Sequence, residues 1–303
     1  MDSGHLDVGD GQTIYWESCG DPDGKPLVWL HGGPGMPQTE RWRRRLTAHG
    51  HRAILFHQRG CGLSTPHAAD PAVDMSPNTL PALVSDMEEL RGYLGVRRWL
   101  VAGGAWGSTL ALAYALAHPE RVTEMVLTAV TTSGPDEIAW RYAELARVFP
   151  EEAERFHGGL AWPEVLDDYV RRLGSHDAAV RQEAAERWCA WEQAVLSHEA
   201  GPPSAFSGEV SDDLLAFARI CAHYFAHSAW LEQGALARSA AEVLAGVPAV
   251  LIHGRLDLGS PLRTAWRLAE SWESAELDVL EGSGHRFTAA ANAALSQALK
   301  RFA

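Results

Sequence analysis

The chain has 303 residues, 46% of them hydrophobic and 21% charged. That is the composition of an ordinary globular protein, long enough for two domains or for one large α/β domain with an insertion, and it excludes a disordered or collagenous chain. Its 39 acidic against 26 basic residues give a formal charge of −13, a balance that repels phosphate backbones and anionic lipid, so neither nucleic acid nor a membrane surface is an expected partner. The N-terminal MDSGHLDVGD lacks the basic and apolar regions of a signal peptide, and no run reaches the ~20 apolar residues of a membrane span. Cys19, Cys61, Cys189 and Cys221 form no C-x-x-C pair, and the 14 histidines show no H-E-x-x-H spacing. A reduced, cytoplasmic protein without structural zinc is expected.

Short apolar runs bounded by turn residues predict strands over Thr13–Glu17, Pro26–His31, Arg52–His57, Arg98–Gly103 and Glu124–Val130, and again over Val247–His253 and Ala275–Leu280. Several are hydrophobic almost throughout (LVWL, AILF, AVLIH), as strands buried on both faces of a mostly parallel sheet are. Helical periodicity lies between them. In Thr79–Leu94 the residues Leu83, Met87 and Leu90 share a face, with Asn78 or Thr79 as the cap. Ser108–His118 is apolar nearly all round and should pack on the sheet. This alternation predicts a doubly wound α/β fold.

From Pro135 to Leu244 no strand is expected. Helical stretches rich in Ala, Glu, Arg and Trp are broken at Pro150, Gly158-Gly159, Pro163 and Gly201-Pro202-Pro203. Because the strand pattern then resumes, the expected organisation is a core of residues 1–134 and 245–303 carrying a helical cap of residues 135–244.

Three predicted strand ends carry the chemistry. After the strand at Arg98–Ala102, the run Gly103-Gly104-Ala105-Trp106-Gly107-Ser108 leads straight into a helix. That is the strand–turn–helix setting of the G-x-S-x-G nucleophile elbow, whose glycines allow strand and helix to approach closely. The nucleophile position, however, holds Ala105, and a methyl group attacks nothing. Asp257 follows the strand Val247–His253 in HGRLD, and His285 follows Ala275–Leu280 in GSGH. Nucleophile, acid, histidine is the chain order of α/β-hydrolases. His285 would take the nucleophile's proton, and Asp257 would fix its tautomer and stabilise the imidazolium. His31-Gly32-Gly33-Pro34-Gly35, ending another strand, is placed to give one oxyanion donor, the N–H of Gly33. The N–H of Trp106, directly after the elbow, is the expected second.

HGGPG, HQRGCGLSTPH (57–67), GGAWGSTLALAYALAHPERV (103–122) and HGRLD resemble the proline iminopeptidase (prolyl aminopeptidase) family of α/β-hydrolases. The resemblance extends to FPEEAERF and RWCAWEQAV in the expected cap. It implies an α/β-hydrolase fold, a mostly parallel doubly wound sheet with an inserted helical cap. It implies a serine hydrolase that removes an N-terminal residue, typically proline, from a small peptide or aminoacyl amide, with no metal and no cofactor. By the same resemblance Glu192, in the W-x-x-W-E segment Trp188–Glu192, pairs with the substrate's α-ammonium. A carboxylate facing a cation is the simplest selector for a charged amine. Trp188, Trp191, Tyr224, Phe225 and Trp230 are candidates for an apolar wall around the acyl group.

The chain departs from the family pattern at three places. Ala105 replaces the serine, Cys221 in ARICAHYF replaces a second cap glutamate, and His57 replaces the aspartate before QRG. Ser108 is no substitute nucleophile, because it belongs to the helix behind the elbow. Two readings of Ala105 follow. Everything built to serve a serine is present, which favours an engineered or otherwise isolated serine-to-alanine change in a working hydrolase. The other reading is a natural non-catalytic ligand-binding protein. Cys221 adds a third possibility, a repurposed relative that hydrolyses an amide or ester of a specialised small molecule.

Overall fold

A computed structural model describes residues 1–37, 39–199, 206 and 208–303. In chain order the elements are β1 (Asp2–Asp7), β2 (Thr13–Gly20), β3 (Pro26–Leu30), α1 (Thr39–Leu46), β4 (Arg52–Phe56) and α2 (Leu80–Tyr93). Next come β5 (Trp99–Gly104), α3 (Trp106–Ala117) and β6 (Val122–Thr128). Then come α4 (Pro135–Tyr142), α5 (Pro150–His157), α6 (Glu164–Leu173), α7 (Ala178–Val195) and α8 (Asp212–Ala226). After α9 (Ala235–Val243) the alternation resumes with β7 (Ala249–Gly254), α10 (Leu262–Ser271), β8 (Ala275–Leu280) and α11 (Ala289–Arg301).

The strands form one sheet in the order β1-β2-β4-β3-β5-β6-β7-β8. β1 and β2 run antiparallel, and every pair from β4/β3 onward is parallel. Alternate side chains of the central strands supply two cores, as a two-residue period requires. Val28 and Leu30 of β3, Ile54 and Phe56 of β4 and Val101 of β5 face the layer that includes α2, α3 and α10. Leu27, Trp29, Leu55, Leu100 and Ala102 face α1 and α11 through Leu46, Leu295 and Leu299. The Val, Leu, Ile and Phe side chains among them each contribute about 1.5–3 kcal/mol on leaving water.

The seven expected strands are present, Ala275–Leu280 with the expected bounds and the others with one or both ends moved by one to three residues. β1 was not expected. It lies at the sheet edge, its residues alternate between exposed and half-buried, and its polar sequence DSGHLD carries no apolar face to read. Thr79 caps α2, its hydroxyl accepting the Ala82 N–H at 3.3 Å. Asn78 turns away to receive the Tyr224 hydroxyl and to donate to the Arg59 carbonyl. α3 begins at Trp106, two residues before the expected start, so the helix opens on the residue after Ala105.

The inserted helices α5 to α8 pack on one another. They are fastened to the core by side chains that reach out of them. Arg219 of α8 donates to the carbonyls of Ala68, Asp70 and Val73 at 2.9, 2.6 and 2.9 Å. Ile220 rests on Gly35, where a β-carbon would stand 2.8 Å from its Cδ1. α9 packs against α3 and α10 of the core. The expected break at Gly201-Pro202-Pro203 lies outside the described residues.

Candidate active site

Ala105 stands between β5 and α3 with φ 50° and ψ −124°, a conformation that costs a non-glycine residue roughly 1–3 kcal/mol. The turn is held on both sides. Ala105 N–H donates to the Thr128 carbonyl at 3.0 Å, and its carbonyl accepts from Ser108 N–H at 2.8 Å. The close approach of strand and helix explains Gly107, where a β-carbon would overlap the Leu30 carbonyl oxygen. Ser108 is fully buried, and its Oγ accepts the Thr131 N–H at 2.9 Å while lying within hydrogen-bond reach of the Ala105 and Thr131 carbonyls.

Asp257 and His285 meet as expected. His285 Nδ1 lies 3.0 Å from each Asp257 carboxylate oxygen. Asp257 also accepts the Ser260 N–H at 2.8 Å, and the His253 imidazole lies 3.8 Å away. Burial alone would raise the Asp257 pKa, but His285, His253 and the Ser260 N–H outweigh it and hold the carboxyl below its ordinary value. Burial alone would depress His285, but the Asp257 carboxylate overcomes this and leaves the imidazole more basic than usual. Burial pushes the His253 pKa below its ordinary value. One of its nitrogens accepts the Val130 N–H and the other donates to the Ser260 carbonyl.

The HGGPG loop runs beside the elbow: a β-carbon on Gly32 would lie 3.5 Å from that of Ala105. Among the described residues no acceptor takes the N–H of Gly33 or of Trp106. A bridge that sequence reasoning missed links the two segments. The Gln58 side chain donates to the His31 carbonyl at 3.0 Å and accepts from the Trp106 indole N–H at 2.8 Å. Its backbone N–H donates to His31 Nε2 at 3.0 Å. Burial depresses the His31 pKa to about 3, so this imidazole serves as a neutral strut. His57 is likewise pushed down to about 4 by burial, and its Nδ1 accepts the Leu63 N–H.

A cavity of about 630 Å³ joins these parts. Ala105, Trp106, Gly33 and His285 line it, with Asp257 buried behind His285. Glu192 lines it too, but not as an unpartnered carboxylate. Arg141 forms an ion pair with it, and the Tyr142 hydroxyl donates to its Oε1 at 3.0 Å. Both partners come from α4, and neither was singled out from the sequence, where WRY reads as ordinary helix.

Trp188, Cys221 and Tyr224, expected at the ligand, lie behind the wall instead. Trp188 is fully buried among Tyr142, Phe156 and Tyr169. Cys221 Sγ faces the Pro34 carbonyl at 3.5 Å. Tyr224 packs edge-on against Trp106, with its hydroxyl 2.6 Å from Asn78 Oδ1. Each sits on the helix face turned to a neighbouring element. Of the expected aromatics Phe225 lines the cavity, joined by Tyr142, Phe206 and Phe217. Among the described residues no group of three or more His, Cys, Asp or Glu could hold a metal, and no helix is long and apolar enough to cross a membrane. All four cysteines are free and buried.

The family description "alpha/beta hydrolase fold" matches residues 25–287. A probable proline iminopeptidase of Streptomyces coelicolor is 42% identical, covering 100% of this chain and 95% of the relative. The proline iminopeptidase of Xylella fastidiosa strain Temecula1 is 41% identical, with 94% and 91% covered. That of Arabidopsis thaliana is 37% identical, with 93% and 74% covered. Among solved structures, a putative aryl esterase from Burkholderia cenocepacia superimposes with a TM-score of 0.67 at 18% identity, covering 99% of this chain and 97% of the other. At that distance the likeness concerns the fold alone. The chain therefore belongs to the proline iminopeptidase family of α/β-hydrolases.

Proposed function

We propose that this site is built for acyl transfer through a serine ester at position 105, on a small peptide or aminoacyl amide with a prolyl-like N-terminal residue. We propose further that the chain as it stands binds such a substrate without turning it over. The observation that carries the reading is the pairing of His285 with Asp257 at the wall of the cavity that Ala105 also lines.

With a serine in place of Ala105, its Oγ would attack the acyl carbonyl while His285 takes the proton through Nε2. Asp257 stays ionised and holds Nδ1–H, so the imidazolium is favoured. The tetrahedral oxyanion would accept from the N–H groups of Gly33 and Trp106, donors that each supply about 3–4 kcal/mol in related sites. His285 then returns its proton to the leaving amine, and a water repeats the sequence on the ester. No step calls for a cofactor. The helical block of residues 135–244 acts as a cap that encloses the acyl group, α9 resting on the core.

Glu192 is the group proposed to meet the substrate's ammonium, and it would share its carboxylate with Arg141 and Tyr142. That existing pair supports a second reading. Glu192 is already paired with Arg141, so an uncharged acyl group, on an amide or ester of a specialised small molecule, would not leave this carboxylate buried and unpaired.

One experiment orders these readings. The Ala105→Ser variant is assayed on prolyl and other aminoacyl p-nitroanilides, on their N-acetylated forms, and on p-nitrophenyl acyl esters. We expect turnover on the order of 10⁶ above the parent, confined to free-amine substrates. Preference for the blocked or ester substrates supports the second reading. Absence of hydrolysis of every one overturns both, in favour of a non-catalytic ligand-binding protein.

A further inference from the structure

The loop that carries His285 is held by a side chain from the inserted helical block. Just past α7, Glu199 places its two carboxylate oxygens 2.7 Å from two consecutive backbone nitrogens, Oε1 on the N–H of His285 and Oε2 on that of Arg286. Two successive N–H groups converging on one carboxylate form an anion nest with its anion in place. The fit is tight, since a β-carbon on Gly284 would overlap the Glu199 carboxylate. The preceding residue makes a parallel reach. His198 Nε2 lies 3.1 Å from the Leu256 carbonyl, on the loop that carries Asp257. Two adjacent residues of the inserted block thus each grasp one of the two loops that bring acid and histidine together.

We propose that Glu199 is a positioning residue for His285, fixing the backbone of the histidine loop from the helical block and placing a negative charge beside the imidazole. It touches no reacting atom. Its geometric effect is to hold His285 where Nδ1 meets Asp257, because the side chain can go only where residues 285 and 286 put it. Its electrostatic effect favours the imidazolium. The other charged or titratable groups facing His285 are Asp257, which acts in the same sense, and Arg141 and His253, which oppose it. This inference rests on the acyl-transfer reading of the site for its meaning, but its first test needs no turnover.

That test is NMR of the chain with Ala105 in place and no substrate, comparing the parent with E199Q and G284A. E199Q removes the charge, whereas G284A keeps it and expels the carboxylate from the nest. We expect the amide protons of residues 285 and 286 to exchange about tenfold faster or more in both variants, as loss of a charge-assisted hydrogen bond requires. We also expect the His285 imidazole in E199Q to titrate at lower pH than in the parent. Parent-like exchange at both amides together with an unmoved titration overturns the proposal.

Kinetics in the Ala105→Ser background give the second reading. E199Q should lower kcat on the order of ten- to a hundredfold with KM nearly unchanged, and it should shift the acid limb of the pH profile down. A loss confined to KM overturns the positioning role. An inactive Ala105→Ser parent would instead count against the proposed function, and the NMR comparison would then decide the role of Glu199 alone.

Discussion

Arg141 and Glu192 form an ion pair inside the cavity, one from α4 and the other from α7. Arg141 also donates to the Gly259 carbonyl at 3.0 Å, on the Asp257 loop. Burial disfavours the guanidinium, but Glu192 more than restores it, so Arg141 is held firmly charged. The cavity wall therefore presents an ion pair at this point, and a group that reaches Glu192 competes with Arg141 for its carboxylate.

Removing one member should be worse than removing both. R141M leaves the Glu192 carboxylate buried and unpaired, and we expect a loss of about 3–5 kcal/mol in urea unfolding. The double variant R141M/E192Q should recover more than half of that. Equal losses in the single and double variants would show that the pair contributes through packing alone.

The Asp257–His285 pair should make stability depend on pH in a defined window. Asp257 is depressed in the folded state, so its contribution is present above the ordinary carboxylate value of about 4 and fades as pH falls through its lower folded value. His285 is raised, so its contribution is complete below the ordinary imidazole value of about 6.5 and fades as pH rises through its folded value. Both act together between those limits. The destabilisation caused by H285Q, measured against the parent, should therefore be larger at pH 5.5 than at pH 8.5. A pH-independent difference would contradict the pairing.

G107A should unfold the elbow. Its β-carbon would overlap the Leu30 carbonyl oxygen, backbone against backbone, with no side chain free to yield. Overpacking of this kind costs about 1–3 kcal/mol or more, and thermal unfolding should fall accordingly. A variant as stable as the parent would mean that α3 sits farther from β3 than described.

The thiols should be silent in the folded chain. Cys19, Cys61, Cys189 and Cys221 are all buried. Burial raises each of their pKa values, that of Cys189 to about 12. A disulfide reagent such as DTNB should find almost no reactive thiol under native conditions and all four in urea, because the thiolate is the reacting species. Rapid native labelling of Cys221 would place it at an accessible surface rather than behind the HGGPG loop.

Much of this architecture is legible in the sequence because its signals are local. The run AVLIH, buried on both faces, marks β7 without any knowledge of its neighbours, and GGAWGS marks a strand turning into a helix. Asp257 and His285 could be paired because each follows a strand that the sequence predicts. The partners of Glu192 were not legible, because α4 and α7 meet only after folding and no spacing links Arg141 to Glu192. Tyr224 and Trp188 misled for the complementary reason: an aromatic on a helix announces burial but not which of two faces is buried. Glu199 and Gln58 act on backbone groups far away in sequence, and a carboxylate or an amide leaves no periodic trace of that.

The turn at Ala105 bears on what a substitution there would disturb. Its unusual dihedrals belong to the main chain, anchored by the Thr128 carbonyl and by Ser108, and the side chain plays no part in them. A hydroxyl added there would sit on a residue that already lines the cavity shared with His285. The oxygen atom that separates alanine from serine could thus come or go at this position without disturbing the fold of the turn.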